Sequence, residues 1–244
     1  MKSFYDQLRD RSQKRIALLV DPDGYNDKGL NDLVGYINMN PPDLLLVGGS
    51  LLFNPIEITI TVLKLGTSLP VFLFPGNCFQ LSDRADGILF LSLISGRNPE
   101  FLIGNHVLAA PHLHRAGIEV IPTGYMLIEN GKSTSVEYMS NSTPIPGNKP
   151  DIGVATAMAG EMLGLKSIYL EAGSGAAYPV AREMISAIRK YISLPLIVGG
   201  GIRTPETALE VFDAGADLIV VGNAIEKEPK LIKEFCEARN SLNK

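Results

Sequence analysis

A chain of 244 residues with 45% hydrophobic and 20% charged side chains can bury a large core and suits one barrel-sized domain spanning residues 1–244. Its net charge of −4 and lack of a strong basic patch exclude a general pull toward nucleic acid or anionic membranes. The densest lysines, Lys227, Lys230 and Lys233, read as a solvated helix face. The two cysteines, Cys78 and Cys236, are far apart without metal-ligand spacing, and the start of the chain has no apolar signal core. No apolar run approaches the roughly 20 residues of a membrane span. A reducing, cytoplasmic setting is expected.

In chain order, apolar runs at residues 16–20, 44–47, 71–74, 88–94, 120–121 (resuming at 125–128), 167–170, 196–198 and 218–221 read as strands buried on both faces. Helical stretches are expected at 54–65, 99–115, 152–163, 179–191, 205–214 and 226–239. Thr204, Pro205 and Glu206 form a good helix start, and Gly215 a good stop. Alternating strands and helices imply a parallel sheet, and eight strands imply an α/β barrel of the TIM type. The link at 77–86 is barely long enough for a crossover helix, so that helix is expected to be shortened or missing. Residues 129–150, rich in Gly, Ser, Asn and Pro, read as an irregular excursion or small hairpin near the mouth.

Candidate chemistry gathers at the strand ends. The sixth run ends in Tyr169, Leu170, Glu171, Ala172, Gly173, Ser174 and Gly175; the seventh in Gly199, Gly200, Gly201, Ile202 and Arg203; the eighth in Gly222 and Asn223. Glycine lets backbone N–H groups approach an anion, and barrels commonly bind phosphate after strands seven and eight. Asp21, in the turn Asp21-Pro22-Asp23-Gly24, and Ser50, after Gly48-Gly49, offer oxygen donors suited to magnesium. Asp21 also suits a turn cap. Glu171, beside an anion-binding turn, suits general-base work or hydroxyl binding, with an ion pair to Arg203 or Arg182 as the plainer alternative. His106, His112 and His114 show no zinc spacing and read as surface or capping residues.

The segments LLVDPD, LLLVGGS, SLISGRNPEFLIGNHV, YLEAGSG, IVGGGIRTPE and VVGNAI, in this order, resemble the geranylgeranylglyceryl phosphate synthase family, which includes heptaprenylglyceryl phosphate synthases. The resemblance covers nearly the whole chain and implies a modified barrel with its third helix replaced. It implies magnesium-dependent prenyl transfer from a polyprenyl diphosphate to sn-glycerol 1-phosphate, with pyrophosphate released. Asp21 and Ser50 would be magnesium ligands, and Tyr169 to Gly175, Gly200, Gly201, Gly222 and Asn223 would hold the glycerol phosphate. From its own position, Glu171 is expected to orient the attacking glycerol hydroxyl and to serve as the catalytic residue that accepts its proton. The YLEAGSG form resembles the geranylgeranyl-making branch. The family commonly has a lysine near the DP pair; here Leu19 and Gly24 occupy those places, Lys28 is the nearest lysine, and Arg97 is a candidate substitute. A homo-oligomer and transient contact with a membrane surface are also expected. The rival readings are a heptaprenylglyceryl phosphate synthase, a sugar-phosphate isomerase or lyase barrel, and a non-catalytic phosphate-binding barrel.

Overall fold

In strand β1 (Arg15–Val20) side chains alternate between two apolar environments: Ala17 packs inward with one buried cluster, Ile16, Leu18 and Val20 outward with another. The same period of two runs through β2 (Leu44–Val47), β3 (Val71–Leu73), β4 (Gly87–Leu93), β5 (Glu119–Leu127), β6 (Ser167–Glu171), β7 (Leu196–Gly199) and β8 (Leu218–Val221). These near-continuous apolar runs suit strands covered on both faces. In the computed structural model, which describes residues 3–243, all eight pair in parallel in chain order, and β1 pairs β8 to close the barrel. The expected fold class is therefore correct.

Most helices fall where the apolar period places them: α3 (Ile56–Gly66), α4 (Asn105–Ala116), α6 (Pro150–Met162), α7 (Arg182–Arg189) and α8 (Pro205–Ala214). Thr204 caps α8 by accepting from the Thr207 N–H at 3.3 Å. Residues 77–86 contain no helix, as expected.

Several elements differ from the sequence expectation. Helices α1 (Phe4–Leu8) and α2 (Asp27–Met39) are additional. In α2, Leu30, Leu33 and Ile37 are buried at helical spacing and Asn26 caps the Gly29 N–H at 2.8 Å, but Gly29 and Gly35 dilute the helical signal. A π-helical turn, Glu100–Gly104, precedes α4. The excursion after β5 holds helix α5 (Ser135–Ser140) and a parallel bridge from Ile128 to Ile145 rather than a hairpin. The last expected helix is two, α9 (Asn223–Lys227) and α10 (Leu231–Leu242). They are separated before Pro229, which restricts Glu228 to an extended conformation.

The closed end of the barrel is built for stability. Glu119 accepts the Phe4 and Tyr5 N–H groups at 2.9 and 2.8 Å, seating Phe4 on Phe72 at 5.4 Å between ring centroids. Asp217, 1% exposed, bonds Arg189 at 2.9 Å, lies 3.5 Å from Lys14 and 3.6 Å from Arg11, and accepts the Leu196 N–H at 3.0 Å. Asp217→Ala would leave the largely buried Arg189 without its counter-charge. The expected cost is about 3–5 kcal/mol, the range for breaking a buried pair from one side. Urea unfolding measures it, and a loss below about 1 kcal/mol would show that these cations find other partners.

Candidate active site

The period of two carries past the strand ends and aims residues into the mouth. Leu19 and Asp21 continue the inward face of Ala17; Gly48 and Ser50 continue that of Leu44 and Leu46. Glu171 follows Tyr169, Gly201 follows Gly199, and Gly222 follows Val220. All line one cavity of about 650 Å³.

Ser174, Gly175, Gly200 and Asn223 line it too, so the turns after β6, β7 and β8 meet on one side of the mouth. The Ser174 hydroxyl donates to Asn223 Oδ1 at 3.4 Å, joining two of these turns. Leu170 and Ala172 take the opposite parity, and their side chains pack under the helices rather than in the cavity. The Ala172 N–H is engaged by the Gly199 carbonyl at 3.0 Å. Gly173 lies behind the wall, its N–H donated to Glu171 Oε1 at 2.7 Å.

Close backbone approach explains the glycines after β7. Gly200 has φ +81°, and a Cβ there would lie 2.5 Å from Glu171 Oε1. Gly201 has φ +71°, and its Cβ would meet the Tyr178 carbonyl oxygen at 2.0 Å. This approach also delays α7: residues 179–181, expected to be helical, belong to the loop.

Glu171 is 7% exposed and stands at the centre of this side. Burial pushes its carboxyl above the ordinary glutamate value, while hydrogen bonds from the Gly173 N–H and the Tyr169 and Tyr125 hydroxyls pull it back. It makes no ion pair with Arg203 or Arg182. Arg203 donates to the Gly175 and Ala176 carbonyls at 3.1 and 2.6 Å, and Arg182 pairs with Asp213. Beneath Glu171 lies an aromatic group: Tyr169 stacks on Phe74 at 5.2 Å, and Tyr125 lies 5.2 Å from Tyr169 and 6.0 Å from Phe74.

Across the mouth, Asp21 is both a turn cap and a cavity residue. Its Oδ1 accepts the Asp23 N–H at 2.9 Å, while a Cβ on Gly49 would sit 3.0 Å from Oδ2. Burial raises the Asp21 carboxyl, the hydrogen bond from the Asp23 N–H pulls it back, and the Asp23 charge pushes it up again by less. Gln80 ties the β2 and β3 ends together: its Nε2 donates to the Gly49 carbonyl at 2.8 Å, and its Oε1 accepts the Gly76 N–H at 3.1 Å. Among the described residues no cluster of three His, Cys, Asp or Glu side chains could hold a metal alone. A half-buried carboxylate lining the same cavity as Ser50 nevertheless fits magnesium, a cation that completes its shell with water and substrate phosphate.

The cavity leaves the barrel where the third helix is missing. Ile88 and Phe90, outward residues of β4, form its floor; Cys78 and Leu81 of the link, and Phe101 and Ala109 near α4, form its walls. His106 belongs here and corrects the surface assignment. It is 8% exposed, its Nε2 lies 3.0 Å from Ser92 Oγ, and its ring packs edge-to-face with Phe90, ring centroids 4.5 Å apart. Burial pushes its pKa below the ordinary histidine value.

Sequence reasoning missed Phe74, Tyr125, Gln80 and Lys227; strand parity would have found Tyr125, which follows Ile121 on the inward face of β5. Arg97 is not the compensating cation. It donates to the Gly96 carbonyl at 2.7 Å and lies outside the cavity. Lys227, read as part of a solvated face, lines the mouth.

The fold and its mouth define a TIM-barrel enzyme. The chain belongs to the PcrB family, whose pattern matches residues 9–239. It is 50% identical over 239 residues to the geranylgeranylglyceryl phosphate synthase of Chitinophaga pinensis, covering 96% of this chain and 95% of that one. It is 47% identical over 241 residues to the enzyme of the same name from Spirosoma linguale, covering 97% and 96%. The crystal structure of (S)-3-O-geranylgeranylglyceryl phosphate synthase from Thermoplasma acidophilum, in complex with its substrate sn-glycerol-1-phosphate, superposes with a TM-score of 0.92. That match has 29% identity and covers 99% of this chain and all of the other.

Proposed function

We infer that this protein is a geranylgeranylglyceryl phosphate synthase, joining the geranylgeranyl group of its diphosphate to a hydroxyl of sn-glycerol 1-phosphate through an ether bond. The observation that carries this reading is a single cavity with two chemically distinct ends. One end is a set of glycine turns around the buried Glu171; the other is an apolar groove through the gap left by the third helix. A small phosphorylated alcohol suits the first, a prenyl chain the second. A sugar-phosphate isomerase would have no use for the groove.

The glycine turns and Asn223 hold the acceptor phosphate, and Tyr169 and Glu171 orient its hydroxyls. The acceptor oxygen attacks C1 of the prenyl chain. A carbon–oxygen bond forms there as the bond from C1 to the diphosphate oxygen breaks, its electron pair leaving with pyrophosphate. Glu171 takes the hydroxyl proton. Positive charge at C1 develops beside the faces of Tyr125 and Tyr169, which favour a cation. Asp21 and Ser50 would hold magnesium, which supplies charge neutralisation for the departing diphosphate. Fixing both reactants in one cavity contributes by orientation.

No helix among the described residues is long and apolar enough to cross a membrane. We place the enzyme in the cytoplasm as a homo-oligomer, a reading supported by exposed Ile103, Val107, Met162 and Leu163. Transient contact with a membrane surface is supported by exposed Phe53 and Phe79 near the mouth. The direct test is incubation with sn-glycerol 1-phosphate, magnesium and prenyl diphosphates of several lengths, with mass identification of products. The geranylgeranyl ether should predominate; turnover of a sugar phosphate without any prenyl donor would favour an isomerase instead.

A further inference from the structure

Among the described residues, the cavity wall carries the acids Asp21, Glu171 and Glu228 but only two strong cations, Arg203 and Lys227. Two phosphorylated substrates entering such a mouth need more positive charge than backbone amides supply. Arg203 is committed: its Nη2 donates to the Gly175 and Ala176 carbonyls and so shapes the turn after β6. Lys227 forms no ion pair or side-chain hydrogen bond with any described residue. The adjacent Glu226 feels its charge, but the Glu226 carboxylate turns toward Gly24, where a Cβ would meet it at 2.9 Å.

The position of Lys227 selects the substrate. It lies one helical turn after Asn223 on α9, so the two share a face. Asn223 is bonded to Ser174 at 3.4 Å, which puts this face over the turns after β6 and β8. We propose that Lys227 is a positioning residue that binds the phosphate of the acceptor, supplying from α9 a cation that strand β1 does not provide. Leu19 is the β1 residue at this point: a Cβ on Gly222 would lie 3.5 Å from Leu19 Cβ. A lysine at position 19 would therefore reach the same phosphate space from the neighbouring strand.

The proposal rests on the acceptor reading given above, and its test separates the two. Lys227→Gln should raise the KM for sn-glycerol 1-phosphate by about tenfold to a hundredfold, the usual effect of losing a charge-assisted hydrogen bond. The KM for geranylgeranyl diphosphate should stay unchanged, as should the unfolding temperature, which a purely structural role at the end of α9 would lower. Lys227→Arg should retain most of the affinity, and Leu19→Lys in the Lys227→Gln background should recover part of it. Calorimetric titration with sn-glycerol 1-phosphate and with inorganic phosphate gives a readout independent of turnover, and both should bind more weakly to Lys227→Gln. An unchanged acceptor KM and unchanged phosphate binding would overturn the proposal, as would an effect confined to the prenyl diphosphate. If the unsubstituted protein neither binds nor converts sn-glycerol 1-phosphate, the acceptor reading itself fails, and this proposal with it.

Discussion

Asp21→Asn is expected to lower magnesium-dependent turnover by about 10²- to 10³-fold, the range for removing one preorganised electrostatic partner of the developing charge. The substitution isolates the charge. Asparagine keeps an Oδ1 to accept the Asp23 N–H, so the Pro22–Gly24 turn and the path of the chain are preserved. Asp21 is disfavoured as a free carboxylate by burial, which the hydrogen bond from the Asp23 N–H only partly offsets, and a bound cation would relieve that cost. Removing it should therefore weaken magnesium binding without unfolding the protein. Ser50→Ala, which deletes a neutral ligand, should have a smaller effect in the same direction. Magnesium titration of steady-state turnover, with circular dichroism as the fold control, measures both. Near-normal turnover of Asp21→Asn with unchanged magnesium dependence would remove Asp21 from the metal site.

What was legible in the sequence follows from how strongly each feature is coded. Strands flanked by helices must be apolar on both faces, and eight such runs are hard to mistake; the barrel follows from their number and order. The missing third helix is legible from chain length alone. Helix α2 is not, because two glycines interrupt its pattern and packing of Leu30, Leu33 and Ile37 overrides weak local propensity. The candidate site divides the same way. Glycine-rich strand ends mark the mouth, but a contiguous motif does not say which of its side chains face inward. Leu170 and Ala172 therefore enter the motif without entering the cavity. Tyr125 and Gln80 lie outside the glycine motifs, and only the closure of the barrel brings Tyr125 to the mouth and Gln80 against Gly49; Lys227 follows the last motif by two residues, but its place in a lysine-rich stretch hides its role.

Glu171→Gln is expected to retain prenyl diphosphate binding and to lose turnover by about 10² to 10⁴, the usual contribution of a general base. The glutamine can still accept the Gly173 N–H and the tyrosine hydroxyls, so the local structure should hold. Its amide cannot take a proton. The pH profile supplies the sharper test. Burial raises the Glu171 pKa in the folded chain, so the reactive carboxylate forms only above the ordinary glutamate range. The acid limb of kcat/KM should accordingly lie above that range in the unsubstituted enzyme and vanish from the residual activity of Glu171→Gln. Stability should move the opposite way. A raised folded-state pKa means the folded chain binds the proton more tightly. Its contribution is thus fully present below the unfolded pKa and is lost as pH rises through the folded one. Above its raised pKa the folded enzyme holds a buried charge at a cost that glutamine avoids. Glu171→Gln should therefore unfold at the same or a higher temperature than the unsubstituted protein, and the difference should narrow in acid. A variant that turned over normally, or that kept the acid limb while losing donor affinity, would show that the proton goes elsewhere.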